Sequence, residues 1–283
     1  MRHAYSPRGF TIIEMVVTMT ILAIVGTMVA IFIRAPVRGY ADSVARAEIS
    51  DLADTVLRRM ARDIRIALPN SVRVSGDGRT IEMLATRTGG RYLSADDGAA
   101  AGRPVLDFVN PANLAFTLVG DMPTGRQAIV PQSDFVVVYN LGTGYAPADA
   151  YSGGNIARVA AVDAASNLVT MASNPFATQQ PPLPSPGSRF QIVSGPVRYA
   201  CVPGPNGTLT RFSNYTIPAS IATSPSGGVS ALAANWITGC EFDYVLMPNI
   251  RSGLVVLTLS MRKPGSTDAP VTLTAQVHVD NTP

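Results

Sequence analysis

Residues Phe10 to Ile33 read FTIIEMVVTMTILAIVGTMVAIFI, 24 positions with a single ionisable side chain, Glu14. As an α-helix rising 1.5 Å per residue, this stretch spans about 36 Å, more than the roughly 30 Å hydrocarbon core of a bilayer. A helix in a soluble core rarely stays apolar on every side for that length, so a membrane-spanning or assembly-core segment is expected. A cleavable secretory signal does not fit. Its apolar region runs roughly 7–15 residues and ends in small residues at a cut site, and neither holds here. Arg2 and Arg8 flank one end and Arg34 and Arg38 the other, so charge alone leaves the orientation undecided.

Glu14 is the informative residue. An acid inside hydrocarbon costs roughly 2.5–3.5 kcal/mol on insertion scales. It can sit near a membrane edge, where a carboxylate reaches the headgroups, or it can meet a positive partner inside the membrane or an apolar assembly. A cut between Gly9 and Phe10 would create such a partner. The new α-amino group would lie one helical turn before the carboxylate, and the two would pair within the chain or between staggered chains.

The run Arg8-Gly9-Phe10-Thr11-Ile12-Ile13-Glu14, followed by about twenty apolar residues, resembles the class III leader of type IV prepilins and type II secretion pseudopilins. The resemblance implies a leader peptide over residues 1–9, cleaved by prepilin peptidase between Gly9 and Phe10. It implies N-methylation of Phe10, and for Glu14 a part in methylation and in the salt bridge that docks the subunit into a growing filament.

Beyond the apolar half (residues 10–33), residues 34–68 carry apolar side chains at Ile49, Leu52, Val56, Leu57, Met60, Ala61, Ile64 and Leu68, the spacing of one helical face. Asp54 and Arg58 are placed for an i,i+4 pair. Pro69 predicts that the helix stops at Leu68, and Pro36 with Gly39 predicts a bend or melted turn between the halves. From residue 69 to 283 the period changes to two. Ser71–Val74 and Thr80–Leu84 around Ser75-Gly76-Asp77-Gly78 predict a hairpin. Further strands are expected at Phe135–Tyr139, Ala157–Val162, Leu168–Met171, Arg189–Val193, Val197–Val202, Leu209–Phe212, Cys240–Leu246, Leu254–Met261 and Val271–Val279. The last alternates so regularly that an antiparallel sheet with one wet face is expected. The fold class is therefore α+β, a long N-terminal helix with a β-rich C-terminal body.

Composition narrows the function. The 283 residues are 47% hydrophobic and 14% charged, well under the roughly 25% charge of soluble domains, which excludes a disordered tail, a nucleic-acid arm or a coiled-coil rod. The net charge of +3 comes almost wholly from arginine, Lys263 being the only lysine, and steers no nucleic acid or acidic substrate. Cys201 and Cys240 are too few for a zinc site, and His3 and His278 lie far apart. An even pair in an exported chain reads as a disulfide, a pair of buried free thiols being the other reading. A bridge would close a loop of about 40 residues and contribute on the order of 4 kcal/mol. No catalytic constellation is visible: after leader removal only His278 remains, on the polar side of a strand. Asp96-Asp97 and Asp77-Gly78 do not form an EF-hand loop, and Gly153-Gly154 lacks a phosphate-binding helix. The sequence calls for no cofactor, no metal and no enzymatic activity.

The likeness extends past the leader. Arg58-Arg59-Met60-Ala61-Arg62-Asp63-Ile64-Arg65 leading to Leu68-Pro69-Asn70-Ser71-Val72-Arg73-Val74 resembles the helix end of large minor pilins. So do Gly90-Arg91-Tyr92, Val137-Val138-Tyr139-Asn140-Leu141-Gly142, Pro196-Val197-Arg198-Tyr199 and the terminal Gln276 to Pro283. Together they resemble the MshO-type minor prepilins of the mannose-sensitive haemagglutinin (MSHA) pilus, and J-type minor pseudopilins of type II secretion are similar in size and layout. The resemblance implies a lollipop-shaped pilin held in the inner membrane, N-terminus in the cytoplasm and body in the periplasm, then moved to a pilus at the cell surface. Its implied partners are prepilin peptidase, other major and minor pilins, the inner-membrane assembly platform and membrane lipid before assembly. The implied role is in pilus initiation or the tip complex; a secretion pseudopilin and a tip adhesin are the alternatives.

Overall fold

The structure is a computed structural model that describes residues 9–97, 102–247, 252–266 and 268–283. Helix α1 (Ile12–Arg65) is unbroken through Pro36 and Gly39, where the sequence predicts an interruption. Pro36 lacks one N–H, so a single backbone bond is forfeited while the turns on either side carry the helix through. The helix ends three residues before Leu68. Ahead of Pro69 the chain is already extended and paired with strand β2 (Thr80–Tyr92): Leu68 N–H donates to Leu84 O at 2.7 Å and Thr86 N–H to Ile66 O at 2.8 Å. The residue before a proline favours extended backbone; here a turn closed by Ala67 N–H to Ile64 O ends the helix and Ala67 bridges to Ala85.

The chain divides into two compact units, Met1–Ile49 and Ser50–Pro283. The described part of the first unit is helical from Ile12. The second contains the end of α1 and an antiparallel body of strands. β1 (Arg73–Val74) and β2 form the expected hairpin, its turn fixed by Gly78 at φ 67° and by Thr80 N–H donating to Ser75 Oγ at 2.9 Å. There follow β3 (Ala115–Val119), β4 (Phe135–Val137), β5 (Ile156–Asp163), β6 (Leu168–Met171), β7 (Arg189–Val202), β8 (Thr208–Ser213), β9 (Val229–Asn235), β10 (Ile237–Met247), β11 (Ser252–Met261) and β12 (Val271–Asp280).

The pairings β2–β3–β6–β5–β4–β7 return to β2 and so close into a ring. Alternate residues of its strands form one buried cluster: Phe116 and Leu118, Val136, Ala157 and Val159, Val169 and Met171, Phe190 and Ile192. Such alternation is what a small closed barrel needs, one face of every strand turned inward. Within it the rings of Phe116 and Phe190 meet edge-on with centroids 5.2 Å apart.

Beyond the ring, β7 and the start of β2 continue as a five-strand sheet in the order β1-β2-β7-β8-β9. Sequence breaks β7 at Ser194-Gly195-Pro196, but the strand runs through. Leu84, opposite Pro196, donates its N–H to Ser71 Oγ and accepts at its carbonyl from Leu68, away from β7. The imide nitrogen of Pro196 therefore faces the other side, where β4 pairing has ended at Val193 and β8 pairing begins only at Val197. A missing donor costs nothing in that gap.

One face of this sheet is fixed to α1 by charge. Asp63 Oδ2 accepts from Tyr199 Oη at 2.8 Å and from Arg211 Nε at 2.7 Å, while Ala53, Val56, Leu57, Met60 and Ile64 of the same helix are buried. On the opposite face Glu82, wholly buried, takes both Arg73 and Arg198, along with the Tyr215 hydroxyl at 2.7 Å. The two guanidinium groups reach on to the carbonyls of Pro218, Ala219 and Thr223. They thereby hold down part of the Pro218–Gly228 loop, which has little apolar surface to bury on its own. A buried acid with two arginines is costly unless further acceptors share the cations, and these loop carbonyls do so.

The second sheet is β10-β11-β12. Val255, Leu257, Leu259 and Met261 of β11 are buried. The other face carries hydroxyl pairs, Thr258 with Thr274 and Ser260 with Thr272. Cys201 on β7 and Cys240 on β10 are joined by a disulfide with Cα atoms 6.6 Å apart, and Phe242 N–H donates to Gly78 O across the same seam.

Burial raises the hydroxyl pKa of Tyr199 and of Tyr215 above the ordinary 10.0, and the neighbouring Asp63 and Glu82 push in the same direction. Above pH 10 the unfolded chain would release these protons first, so the native state binds more protons and stability falls as pH rises. The unfolding midpoint of the full chain should therefore drop through this range. The drop should be shallower in the Tyr199→Phe, Tyr215→Phe double variant; equal slopes for the two proteins would contradict this reading.

Candidate processing and assembly segment

The segment before and at the start of α1 holds the residues the sequence singles out. Gly9, Phe10 and Thr11 are non-helical and exposed, Phe10 at 79%. The Gly9–Phe10 bond therefore lies in open, non-helical backbone, the form a peptidase can reach without unwinding a turn.

Thr11 is a residue that the sequence reading missed. Its Oγ1 accepts the Glu14 N–H at 3.3 Å and its carbonyl accepts the Met15 N–H at 3.2 Å. Thr11 is thus the N-cap of the helix. The signal was present: Thr11-Ile12-Ile13-Glu14 has the T-x-x-E spacing of a capping box. The cap fixes where the helix begins, which places the Phe10 nitrogen just outside the first turn and Glu14 within it. An acid in the first turn also complements the positive end of the helix dipole.

From Ile12 to Ile33 the helix has mean hydropathy 2.6 and is 0% buried, long and apolar enough to cross a membrane. Its polar side chains divide into two kinds. Thr18, Thr20 and Thr27 each donate their hydroxyl to a carbonyl three or four residues back, Met15, Val16 and Ala23. Within this span every threonine is therefore satisfied inside the helix. The Glu14 carboxylate is the one side-chain group here with no partner among the described residues.

The other singled-out residues lie elsewhere. His278 is exposed on β12, and His3, Arg2 and Arg8 lie outside the described residues. Asp97 accepts from Ser94 N–H and Oγ and pairs with Arg91 at 2.9 Å, contacts that hold its pKa below the usual carboxylate range; the Asp96 side chain lies outside the described set. Asp77 accepts from Ser75 Oγ and Arg79 N–H, which likewise lower its pKa and make it a turn residue. Among the described residues no three His, Cys, Asp or Glu side chains are grouped to hold a metal ion.

Residues 6–30 match the family model described as the prokaryotic N-terminal methylation motif. The whole chain matches no curated protein and no solved structure. The motif and the apolar helix behind it fit a type IV pilin-like protein, and the motif implies processing by prepilin peptidase and assembly with pilins. With an α-helix leading into an antiparallel β body, the fold is α+β and pilin-like.

Replacing Thr11 with valine removes the cap while keeping the shape. The first turn should loosen by about 1 kcal/mol, read as faster amide exchange at Glu14 and Met15 in micelles with Met28 and Val29 unchanged. Unaltered exchange at Glu14 would mean that Thr11 does not set the start of the helix.

Proposed function

We propose that this chain is a structural minor pilin of an MSHA-like type IV pilus, of MshO type, without catalytic activity of its own. It waits in the inner membrane as a single-pass protein, leader in the cytoplasm and body in the periplasm. Prepilin peptidase cuts between Gly9 and Phe10 and methylates the Phe10 nitrogen, dividing the chain into leader 1–9, apolar half 10–33, amphipathic half 34–68 and body 69–283. The observation that carries the reading is the Glu14 carboxylate, alone without a partner among the described residues on a helix otherwise satisfied and apolar from Ile12 to Ile33.

Such a helix leaves the bilayer only for an environment as dry as the bilayer. Side-by-side packing with the same segment of other pilins supplies one. In that setting the methylated amine of one subunit neutralises Glu14 of its own or a neighbouring chain, and the charge that cost energy in lipid becomes a reason to assemble. The segment resemblances from Arg58 to Val74 and from Gln276 to Pro283 support the minor-pilin assignment. The size of the body supports a place in an initiation or tip complex, since it stacks less densely than a small repeating subunit. The Cys201–Cys240 bond suits an oxidising periplasm.

A J-type pseudopilin of a type II secretion system would share every feature of the first turn, and a tip adhesin would add a ligand for the body. Deleting the gene separates them: loss of pili supports the proposal, loss of exoprotein release with normal pili supports the pseudopilin. Normal pili that no longer attach support the adhesin. Glu14→Gln should be cut at Gly9–Phe10 yet be missing from sheared fibres. Fibres containing this variant at the normal level would contradict the role given to the carboxylate.

A further inference from the structure

The two sheets of the body meet along an unfinished seam. Between the β1–β2 hairpin and the outer edge of β10 lies a groove of about 1160 Å³. Phe242 N–H donates to Gly78 O at 2.7 Å, which fixes the parity of β10. Its partners on β11 run Phe242↔Leu257, Tyr244↔Val255 and Leu246↔Gly253 without a register shift, so the backbone of Tyr244 and Leu246, like that of Phe242, turns away from β11.

Tyr244 N–H folds back to Asp243 Oδ1 at 2.8 Å. The Tyr244 carbonyl and both backbone groups of Leu246 have no backbone partner among the described residues. Across the groove Ser75 N–H donates to Thr80 O, so the backbone of Val74 also turns away from its own sheet. Strand edges of this kind are templates for another strand.

The walls have a definite chemistry. Tyr139, Leu141 and Tyr145 line the groove together with Phe242 and Leu246, and Leu246 is 59% exposed. Its acids are Asp77, Glu241 and Asp243. Of the two arginines that line it, Arg73 is spent on the buried Glu82, leaving Arg189. The balance favours a cation. Asp77 stays charged, because Ser75 Oγ and Arg79 N–H hold its pKa down.

We propose that this groove receives an extended segment of a partner protein, added as a further strand on the edge of β10. The segment alternates apolar side chains towards the tyrosine-lined wall and carries basic residues that meet Asp77, Glu241 and Asp243. Main-chain bonds to Tyr244 and Leu246 supply the attachment, and the acids supply the choice of partner. The inference stands on the body alone and holds whether or not the chain builds a pilus.

The test uses the full chain in detergent micelles and two synthetic probes, Lys-Val-Thr-Val-Thr-Val-Lys and Glu-Val-Thr-Val-Thr-Val-Glu. The basic peptide should bind at least about tenfold more tightly than the acidic one, and it should slow amide exchange at Leu246. N-methylating alternate backbone nitrogens of the basic peptide should abolish binding. In the Glu241→Lys, Asp243→Lys variant, whose two positions are exposed, the preference should reverse. Equal binding of both peptides, an unchanged preference in the variant, no slowing at Leu246, or no binding at all would overturn the proposal. So would self-association of the chain that the same variant abolishes, which would assign the edge to a second copy.

Discussion

The structure turns on an uncovered apolar helix that carries one acid. From Ile12 to Ile33 no part of the helix is buried within the chain, so lipid or other chains must cover it. Twelve of its side chains are Ile, Leu, Val or Phe, each favouring the membrane by about 0.3–0.6 kcal/mol at the helix centre, while an ionised acid such as Glu14, here in the first turn, works against insertion. Lipid is therefore a workable resting place that Glu14 makes less comfortable. An environment that keeps the greasy contacts and also neutralises the carboxylate is better. The threonines do not alter that balance, because each spends its hydroxyl on its own helix.

The body follows a different logic, in which arginine and tyrosine do the joining. Asp63 fastens α1 to the β7–β8 face through Tyr199 and Arg211, and Glu82 gathers Arg73, Arg198 and Tyr215 on the far face. Asp134, also fully buried, meets Arg87 at 2.7 Å. Planar guanidinium groups can satisfy several acceptors at once, which suits a chain whose loops are rich in carbonyls and poor in apolar side chains. The closed strand ring is the exception, held by an aromatic and aliphatic interior. The disulfide then ties the second sheet to the first.

Much of this was legible in the sequence because it depended on strong local patterns. The apolar run, the hairpin at Ser75–Gly78, strand Leu168–Met171 and the alternation of Val271–Val279 all carry their period on their face. What escaped had a weak or misleading local signal. β9 is Val-Ser-Ala-Leu-Ala-Ala-Asn, with side chains too small to mark a period, and β3 is only five residues long. The break at Pro196 was misread because the escape for its missing donor depends on where two other strands end. The helix end at Arg65 was set by pairing with Leu84 and Thr86, residues almost twenty positions later. In the N-terminal segment the order of residues around Gly9, Phe10 and Glu14 is what draws attention, while the Thr11 cap was overlooked although its T-x-x-E spacing was there to read. The Glu82 cluster could not have been found, since its partners come from positions 73, 198 and 215 and no spacing links them.

The most direct measurement is the intact mass and N-terminal sequence of the mature chain purified from membranes and from sheared fibres. The account predicts a chain shorter by the nine residues Met1–Gly9, beginning with a methylated Phe10. A chain that enters fibres with Met1 retained, or with Phe10 exposed but unmethylated and Glu14 still required, would contradict it.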